Sequence, residues 1–264
     1  RVTPASSNDA LQSRKPLRAK EIVKRAISSP RSGRLKSVLS TLQPEQHQYV
    51  TWPSSKFLAV QGQPGTGKTI VATHRAGYLT HPENETDHVD KLLLLGPTTG
   101  WVHHVRDVVS EIGANGVEVT SLESLIRHYS GGLTHKLHRE DESWFQFDWE
   151  TARLGQRAVM KLRGQYGAAT AHNLRRVVDE LVKPSELHRE LVTNPETSHW
   201  LFTARSFDHA RSRAEFMPFL ASVAIAVNPP TRSVRFDHVI IDEAQDVRPL
   251  EWFILNRLLD GDDA

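Results

Sequence analysis

The sequence has no cysteine among its 264 residues, and only 7% of the residues are aromatic. Without thiols it cannot form disulfides, cysteine-ligated zinc sites, iron–sulfur clusters or a cysteine nucleophile. It also has no apolar run near the roughly 18 residues of a membrane span, and no signal-peptide core. We therefore expect a cytoplasmic protein with no membrane partner, and the chain is long enough to fold around its own hydrophobic core.

The net charge is small, +2, but it is unevenly distributed along the sequence. Residues 1–36 hold ten Lys and Arg against Asp9 and Glu21, so the remainder is mildly acidic. We predict a basic N-terminal arm over residues 1–35 that contacts a polyanion or an acidic protein surface, or else is a solvated leader without a partner. Because the sequence opens with Arg1, we also expect it to be a piece of a longer protein.

Strand and helix patterns alternate in two parts of the sequence. Short apolar runs predict buried strands at residues 57–60, 91–95, 117–120 and 236–241. Helical spacing of apolar residues predicts helices at residues 44–50, 68–79, 101–112, 122–128 and 249–259. This alternation is typical of an α/β fold, in which helices cover both faces of a parallel sheet.

Residues 131–232 interrupt this alternation and are predicted to be mostly helical. Helical patterns cover residues 149–162, 168–182 and 198–227. Pro218 is expected to kink or break the last of these helices, because proline cannot donate the interior hydrogen bond. We therefore predict four parts, which are the basic arm at 1–35, the first part of the core at 36–130, the helical insert at 131–232 and the second part of the core at 233–264.

A glycine-rich segment between a predicted strand and a predicted helix fits the pattern G-x-x-x-x-G-K-[ST]. Glycines let the backbone curl around phosphates, and the N-terminus of the following helix adds positive charge. Lys68 supplies a cation to the β- and γ-phosphates, and the Thr69 hydroxyl is a ligand for Mg²⁺. The residues predicted to bind the nucleotide here are Gly62, Gln63, Pro64, Gly65, Thr66, Gly67, Lys68 and Thr69.

The predicted strand at 236–241 is followed directly by two carboxylates, Asp242 and Glu243. In P-loop enzymes an acid at this place holds Mg²⁺, and an adjacent Glu activates the attacking water. We assign Asp242 to the metal and Glu243 to the general base. About 170 residues separate Thr69 from Asp242, so a large insertion is expected between two motifs that must serve one Mg²⁺.

With these residues, the chain resembles the superfamily 1 UvrD/Rep-type helicases. The sequence DEAQD at residues 242–246 is similar to that family's motif II, and LQPEQ at residues 42–46 is similar to its Q motif. Within the superfamily the chain is most similar to the DNA helicase IV/HelD-like branch. That likeness is carried by residues 31–34, 65–79 and 94–98.

The resemblance implies an ATP- and Mg²⁺-dependent P-loop NTPase with a RecA-like core. Residues 36–130 and 233–264 would then form the two parts of the first RecA-like domain, and residues 131–232 an insert. By the same resemblance, Gln46 reads the adenine edge of ATP. Gln245 would link the γ-phosphate to the surface that binds the nucleic acid strand.

The resemblance also places single-stranded DNA contacts at Thr98 and Thr99, and at Thr120 and Ser121. Hydroxyls and backbone amides on phosphates suit sequence-independent binding. The alternative for such residues is that they cap helices. Tryptophans such as Trp101 offer stacking faces for bases, but we assign none of them, since an isolated aromatic residue at helical spacing is usually part of a core.

The resemblance predicts a second RecA-like domain, which is absent from residues 1–264. In such motors the second domain supplies arginines that stabilise charge on the transferring phosphoryl group. We therefore expect these residues alone to bind nucleotide weakly and to hydrolyse it slowly, and the longer protein to be a competent ATPase.

Three functions remain open at this point. The first is an ATP-driven motor that moves on single-stranded DNA and separates duplex. The second is a HelD-like ATPase that binds and recycles RNA polymerase. The third, less favoured, is a regulatory ATPase fused to a nuclease or another effector. The basic arm fits either of the first two, with DNA phosphates or an acidic polymerase surface as its partner.

Overall fold

The computed structural model of the protein describes residues 38–39, 42–131, 149–166 and 173–259. The predicted basic arm at 1–35, with the lead-in residues 31–34, lies outside these ranges. The chain divides into two compact units, Arg1–His88 with Val109–Asn115, and Val89–Val108 with Gly116–Ala264.

The described part of the first unit includes the helices α1 (Pro44–Val50) and α2 (Lys68–Leu79). Both begin and end where the sequence predicts. Pro44 occupies the first turn of α1, where its missing N–H costs nothing. The preceding backbone N–H of Gln43 donates to Gln46 Oε1 at 3.2 Å, which completes a capping interaction.

Arg75 in α2 forms hydrogen bonds with backbone carbonyl groups at the end of α1. Its side chain is buried, and Nη1 donates to the carbonyl oxygens of Tyr49 and Val50 at 3.3 Å and also to that of Trp52. Burial lowers the pKa of Arg75, and the nearby carboxylate of Asp87 acts in the opposite direction. These hydrogen bonds hold the end of α1, and Trp52 just beyond it, against α2.

The strand predicted at residues 57–60 is wrong. No strand is assigned to this segment within the described residues, and the Phe57 side chain is 89% exposed. An apolar run is a local signal, whereas a strand exists only where a neighbouring strand pairs with it. The segment reaches the glycine-rich loop without any assigned pairing.

The second unit contains a parallel sheet of three strands, β1 (Leu92–Gly96), β2 (Val117–Ser121) and β3 (His238–Ile241). The strand order is β2-β1-β3, with β1 in the middle and all five of its residues buried. The register pairs Leu95 with Thr120 on one side and with Ile241 on the other. Helices lie on both faces, so the predicted α/β fold of the P-loop type is confirmed.

The helices next to the strands lie close to their predicted positions. They are α3 (Thr99–Glu111), α4 (Leu122–Tyr129) and α11 (Pro249–Leu258). The last residues of α3 belong to the first unit. The sheet, α4 and α11 share a hydrophobic cluster that includes Leu93, Leu95 and Ile254.

The described residues between α4 and β3 form helices, as predicted. They are α5 (Trp149–Tyr166), α6 (Leu174–Val182), α7 (Glu186–Leu191), α8 (Pro195–Thr203), α9 (Phe207–Arg211) and α10 (Met217–Val227). Pro218 lies in the first turn of α10, which confirms the break expected there. The predicted helix at 198–227 is also broken at Arg205, where φ is +60°, and Ser206 then caps α9.

Helix α10 lies between two hydrophobic clusters. Phe219 and Val223 belong to a cluster built mainly by the helical region, whereas Ala221 and Ile225 belong to the cluster beneath the sheet. Such a helix is apolar on all sides because it is buried on all sides. The helical region and the sheet therefore share a core, while the predicted domain boundary at residue 232 stays a prediction.

Among the described helices, none is both long enough and apolar enough to cross a lipid bilayer.

The buried imidazole of His74 in α2 predicts a pH-dependent stability. His74 is 8% exposed, and its Nδ1 lies 2.8 Å from the Ile70 carbonyl oxygen. Burial lowers the pKa of His74 below the ordinary value of 6.5, and the hydrogen bond to Ile70 opposes this shift. The unfolded chain therefore takes up this proton first, and we expect the free energy of unfolding to decrease as the pH falls through about 6.5.

His74→Gln should remove this component, so its free energy of unfolding should change less between about pH 7.5 and pH 5.5 than that of the wild type. Urea unfolding at several pH values measures the difference. The exposed His103 gives the matched control, and His103→Gln should retain the wild-type slope. Equal slopes for wild type and His74→Gln would contradict the prediction.

Candidate nucleotide-binding site

The glycine-rich loop curls immediately before α2. Gly65 and Gly67 have φ values of +82° and +85°, which belong to the left-handed region that favours glycine. The loop is closed by Thr66, whose backbone N–H and hydroxyl both donate to the Gln63 carbonyl oxygen, at 3.3 and 2.9 Å. Residues 62–66 are exposed, so this backbone is accessible to a ligand.

Lys68 is the first residue of α2 and its side chain turns back over the loop. Its Nζ donates to the carbonyl oxygens of Gly62 at 2.9 Å and Gln63 at 3.3 Å. Thr69 follows in the same helical turn, where backbone N–H groups have no acceptor within the helix. A cation, a hydroxyl and helix N-terminal amides thus occur together, and this set of donors fits the phosphates of a nucleotide.

Gln46 lies beside the loop, although 20 residues of sequence separate it from Thr66. A Cβ atom built on Gly67 would lie only 2.7 Å from Gln46 Nε2. Any other residue at Gly67 would therefore meet this side chain as well as adopt an unfavourable φ. The geometry places Gln46 next to the phosphate loop, and its role in reading adenine stays a prediction.

In the second unit, Asp242 continues the line of β3 by one residue. Its backbone N–H donates to the Leu95 carbonyl oxygen at 2.8 Å. The side chain is 8% exposed, and each carboxylate oxygen accepts a hydrogen bond. Oδ1 accepts from the Glu243 backbone N–H at 3.1 Å, and Oδ2 accepts from the Trp101 indole Nε1–H at 2.9 Å.

The chain turns sharply at Glu243, which has φ +55° and ψ +45°. This left-handed conformation is uncommon for a residue with a side chain, and such residues cluster at functional sites. The Gln245 amide Nε2 donates to Glu243 Oε2 at 2.5 Å. Glu243 and Gln245 are thus joined directly. The sequence predicts Glu243 as the general base, and the resemblance implies that Gln245 links the γ-phosphate to the strand-binding surface.

The sequence does not predict that Trp101 supports Asp242. The two residues are 141 positions apart, so no local pattern signals the contact. Gly96, at the end of β1, makes room for the indole, because a Cβ at this position would lie 2.0 Å from Trp101 Cε3. A glycine between a buried strand and a helix is the one sequence signal that indicates such a close approach.

The four residues predicted to contact nucleic acid lie at the carboxyl ends of β1 and β2. Thr98 and Thr99 are exposed, and Thr98 Oγ1 accepts the Trp101 backbone N–H at 3.2 Å. Thr120 is partly buried in β2. Ser121 is 1% exposed and caps α4 by accepting the Ser124 N–H at 3.2 Å. Thr98 and Ser121 thus serve as caps, and the nucleic-acid contacts stay a prediction.

Two groups of residues suit Mg²⁺ and ATP, one in each unit. Lys68, Thr69 and the loop amides fit the phosphates, while the buried carboxylate of Asp242 suits a hydrated magnesium ion, which prefers oxygen ligands. Each group is preformed within its own unit. Their convergence on one metal ion stays a prediction.

The parallel sheet, the glycine-rich loop that begins a helix and the strand-end acid define a P-loop NTPase. A family model described as an AAA domain, a domain found in UvrD/Rep-like superfamily 1 helicases, matches residues 46–263. Because the match covers most of the chain, the protein belongs to this AAA-domain family of helicase-like, nucleotide-binding ATPases. No curated protein matches the sequence significantly.

Proposed function

We propose that this chain is the ATP-binding domain of a superfamily 1 motor that couples ATP hydrolysis to movement on single-stranded DNA. The observation that carries the proposal is the preformed phosphate loop, in which Lys68 Nζ already lies over the loop carbonyls of Gly62 and Gln63. Membership of the AAA-domain family supports it. The finer assignment to the DNA helicase IV/HelD-like branch is part of the proposal.

The proposed residues divide the work of ATP hydrolysis. Lys68 would neutralise charge on the β- and γ-phosphates, and Thr69 and Asp242 would hold the magnesium ion, which would supply further charge stabilisation. Glu243 orients and deprotonates the attacking water. Gln245, hydrogen-bonded to Glu243, is suited to report the state of the γ-phosphate to the strand-binding surface.

The proposed path of the single strand follows the carboxyl ends of β1 and β2. Exposed Thr98 and Thr99 offer hydroxyl and amide groups to phosphates, a chemistry that reads no base sequence. Thr120 and Ser121 mark the corresponding end of β2. Further phosphate contacts are proposed for the basic arm at 1–35, where lysines and arginines are concentrated.

The test is ATP hydrolysis by the intact protein with and without single-stranded DNA. We expect the DNA to raise turnover several-fold, with an affinity that falls steeply as salt increases, because several phosphates are neutralised. A parallel assay measures ATP hydrolysis with RNA polymerase in place of single-stranded DNA. If polymerase stimulates ATP hydrolysis and DNA does not, the HelD-like function is favoured over the DNA motor. If the protein binds no ATP, both proposals are wrong.

The contribution of a second RecA-like domain is tested in the same assay. We propose that it lies in the same longer protein and supplies the arginines that complete the active site. Residues 1–264 alone should then hydrolyse ATP much more slowly than the intact protein. Equal turnover numbers would contradict this part of the proposal.

A further inference from the structure

The indole of Trp101 lies between the end of β1 and the carboxylate of Asp242. Its Nε1–H donates to Asp242 Oδ2 at 2.9 Å, and its six-membered ring lies against Gly96. The backbone N–H of the same residue donates to Thr98 Oγ1 at 3.2 Å. One residue therefore joins the loop after β1 to the acid after β3.

Gly96 and Gly100 both precede Trp101, and the space beside each of them shows how closely the indole is packed. A Cβ at Gly96 would lie 2.0, 2.2 and 2.4 Å from three atoms of the indole, distances that no adjustment of a few tenths of an ångström relieves. A Cβ at Gly100 would meet only Thr98 Oγ1, at 4.0 Å. The indole can therefore reach Asp242 only because residue 96 has no side chain.

We propose that Trp101 is a positioning residue for Asp242, and that it holds this carboxylate in the orientation that receives the magnesium ion. The inference rests on the proposed function, since it deepens the role of the same acid. Through its bond to Thr98, Trp101 also connects the carboxylate to the loop proposed to contact the nucleic acid strand.

The physical basis is the fixed direction of both carboxylate oxygens. The Glu243 N–H holds Oδ1 and the Trp101 indole N–H holds Oδ2, so rotation of the carboxylate about its Cβ–Cγ bond would break both bonds. Each carboxylate oxygen has two lone pairs, so one accepted hydrogen bond does not exhaust its capacity as an acceptor. Outer partners of this kind orient metal ligands, and their loss typically lowers metal affinity about 10- to 100-fold.

The contact itself is tested without any nucleotide. The chain has six tryptophans, and Trp101→Phe should remove one indole N–H signal from a ¹H–¹⁵N spectrum and so identify it. Asp242→Asn should then shift this signal and accelerate its exchange with solvent. Trp252 is the control, because it is another partly buried tryptophan of the second unit. Trp252→Phe identifies its indole signal, and Asp242→Asn should leave that signal unchanged.

The positioning role is tested by the Mg²⁺ dependence of nucleotide binding. With a fluorescent adenine nucleotide, Trp101→Phe should raise the Mg²⁺ concentration for half-maximal binding by about tenfold, and should leave the affinity measured in EDTA unchanged. A merely structural role would weaken binding under both conditions. Gly96→Ala should act like Trp101→Phe, because its methyl group displaces the indole, whereas Gly100→Ala should bind like the wild type.

Two results would overturn the inference. One is a Trp101 indole signal that does not change in Asp242→Asn, and the other is an equal loss of nucleotide affinity in Trp101→Phe with and without Mg²⁺. A wild type that binds no nucleotide would instead overturn the proposed function. The indole spectrum would then still decide whether Trp101 holds Asp242, so the two failures are distinguishable.

Discussion

Lys68→Ala is expected to lower ATP hydrolysis by at least about 100-fold, because it removes the one side-chain cation of the phosphate loop. The Lys68 ammonium group is already in place, with its Nζ 2.9 Å from the Gly62 carbonyl oxygen. Nucleotide can therefore exchange carbonyl contacts for phosphate contacts with little rearrangement. Positive charge that is preorganised in this way stabilises the transition state without a cost of reorganisation at the moment of reaction.

The fold should tolerate this change. The loop is exposed at residues 62–66, so water replaces the lost ammonium group at the two carbonyl oxygens, and we expect the free energy of unfolding to change by less than about 0.5 kcal/mol. Steady-state ATP hydrolysis of the intact protein, with single-stranded DNA present, measures the effect. The exposed Lys56 is the matched control, and Lys56→Ala should retain wild-type turnover. A folded Lys68→Ala protein with turnover within a few-fold of the wild type would exclude the proposed role.

Gly155→Ala is expected to destabilise the protein by about 1–3 kcal/mol, because α5 and α10 touch at this position. A Cβ on Gly155 would lie 2.9 Å from Val223 Cα and 3.0 Å from Val223 Cγ2. The first of these atoms belongs to the backbone, which a rotamer change cannot move. The methyl group therefore forces α5 and α10 apart and disturbs the cluster that contains Val223.

A second glycine of the same helix provides the control. Gly164 also lies in α5, but a Cβ there would meet nothing within 4 Å. Gly164→Ala should therefore stabilise the protein by up to about 1 kcal/mol through helix propensity alone. Urea unfolding of both variants measures the two changes in the free energy of unfolding. Similar values for Gly155→Ala and Gly164→Ala would show that α5 and α10 do not pack as closely as described.

Sequence-based predictions succeed where the signal lies in residues close together in the sequence, and the wrong one depends on a contact with a distant part of the chain. Helices α1 and α2 are predicted to the residue, because a proline at the first turn and a glycine-rich loop are local signals for a helix start. The strands β1, β2 and β3 are predicted within two residues. The strand predicted at 57–60 is wrong because an apolar run says nothing about whether a pairing partner lies beside it.

The same distinction holds at the candidate site. The sequence alone predicts roles for Lys68, Asp242 and Glu243, since loop chemistry and a strand-end acid are short patterns with a defined function, and these roles stay predictions. The likeness to the Q motif singles out Gln46, but only the fold brings its amide beside Gly67.

What the sequence determined by itself is therefore the phosphate loop, the helix that follows it, the strand-end acids and the class of fold, because residues close together in the chain specify each of these. The tertiary structure alone decided that Trp101 donates to Asp242, that Gly96 leaves space for the indole, and that α5 meets α10 at Gly155. Those contacts join residues from distant parts of the chain. They exist only once the sheet and the helices have packed, and no pattern along the sequence encodes the distance between two side chains.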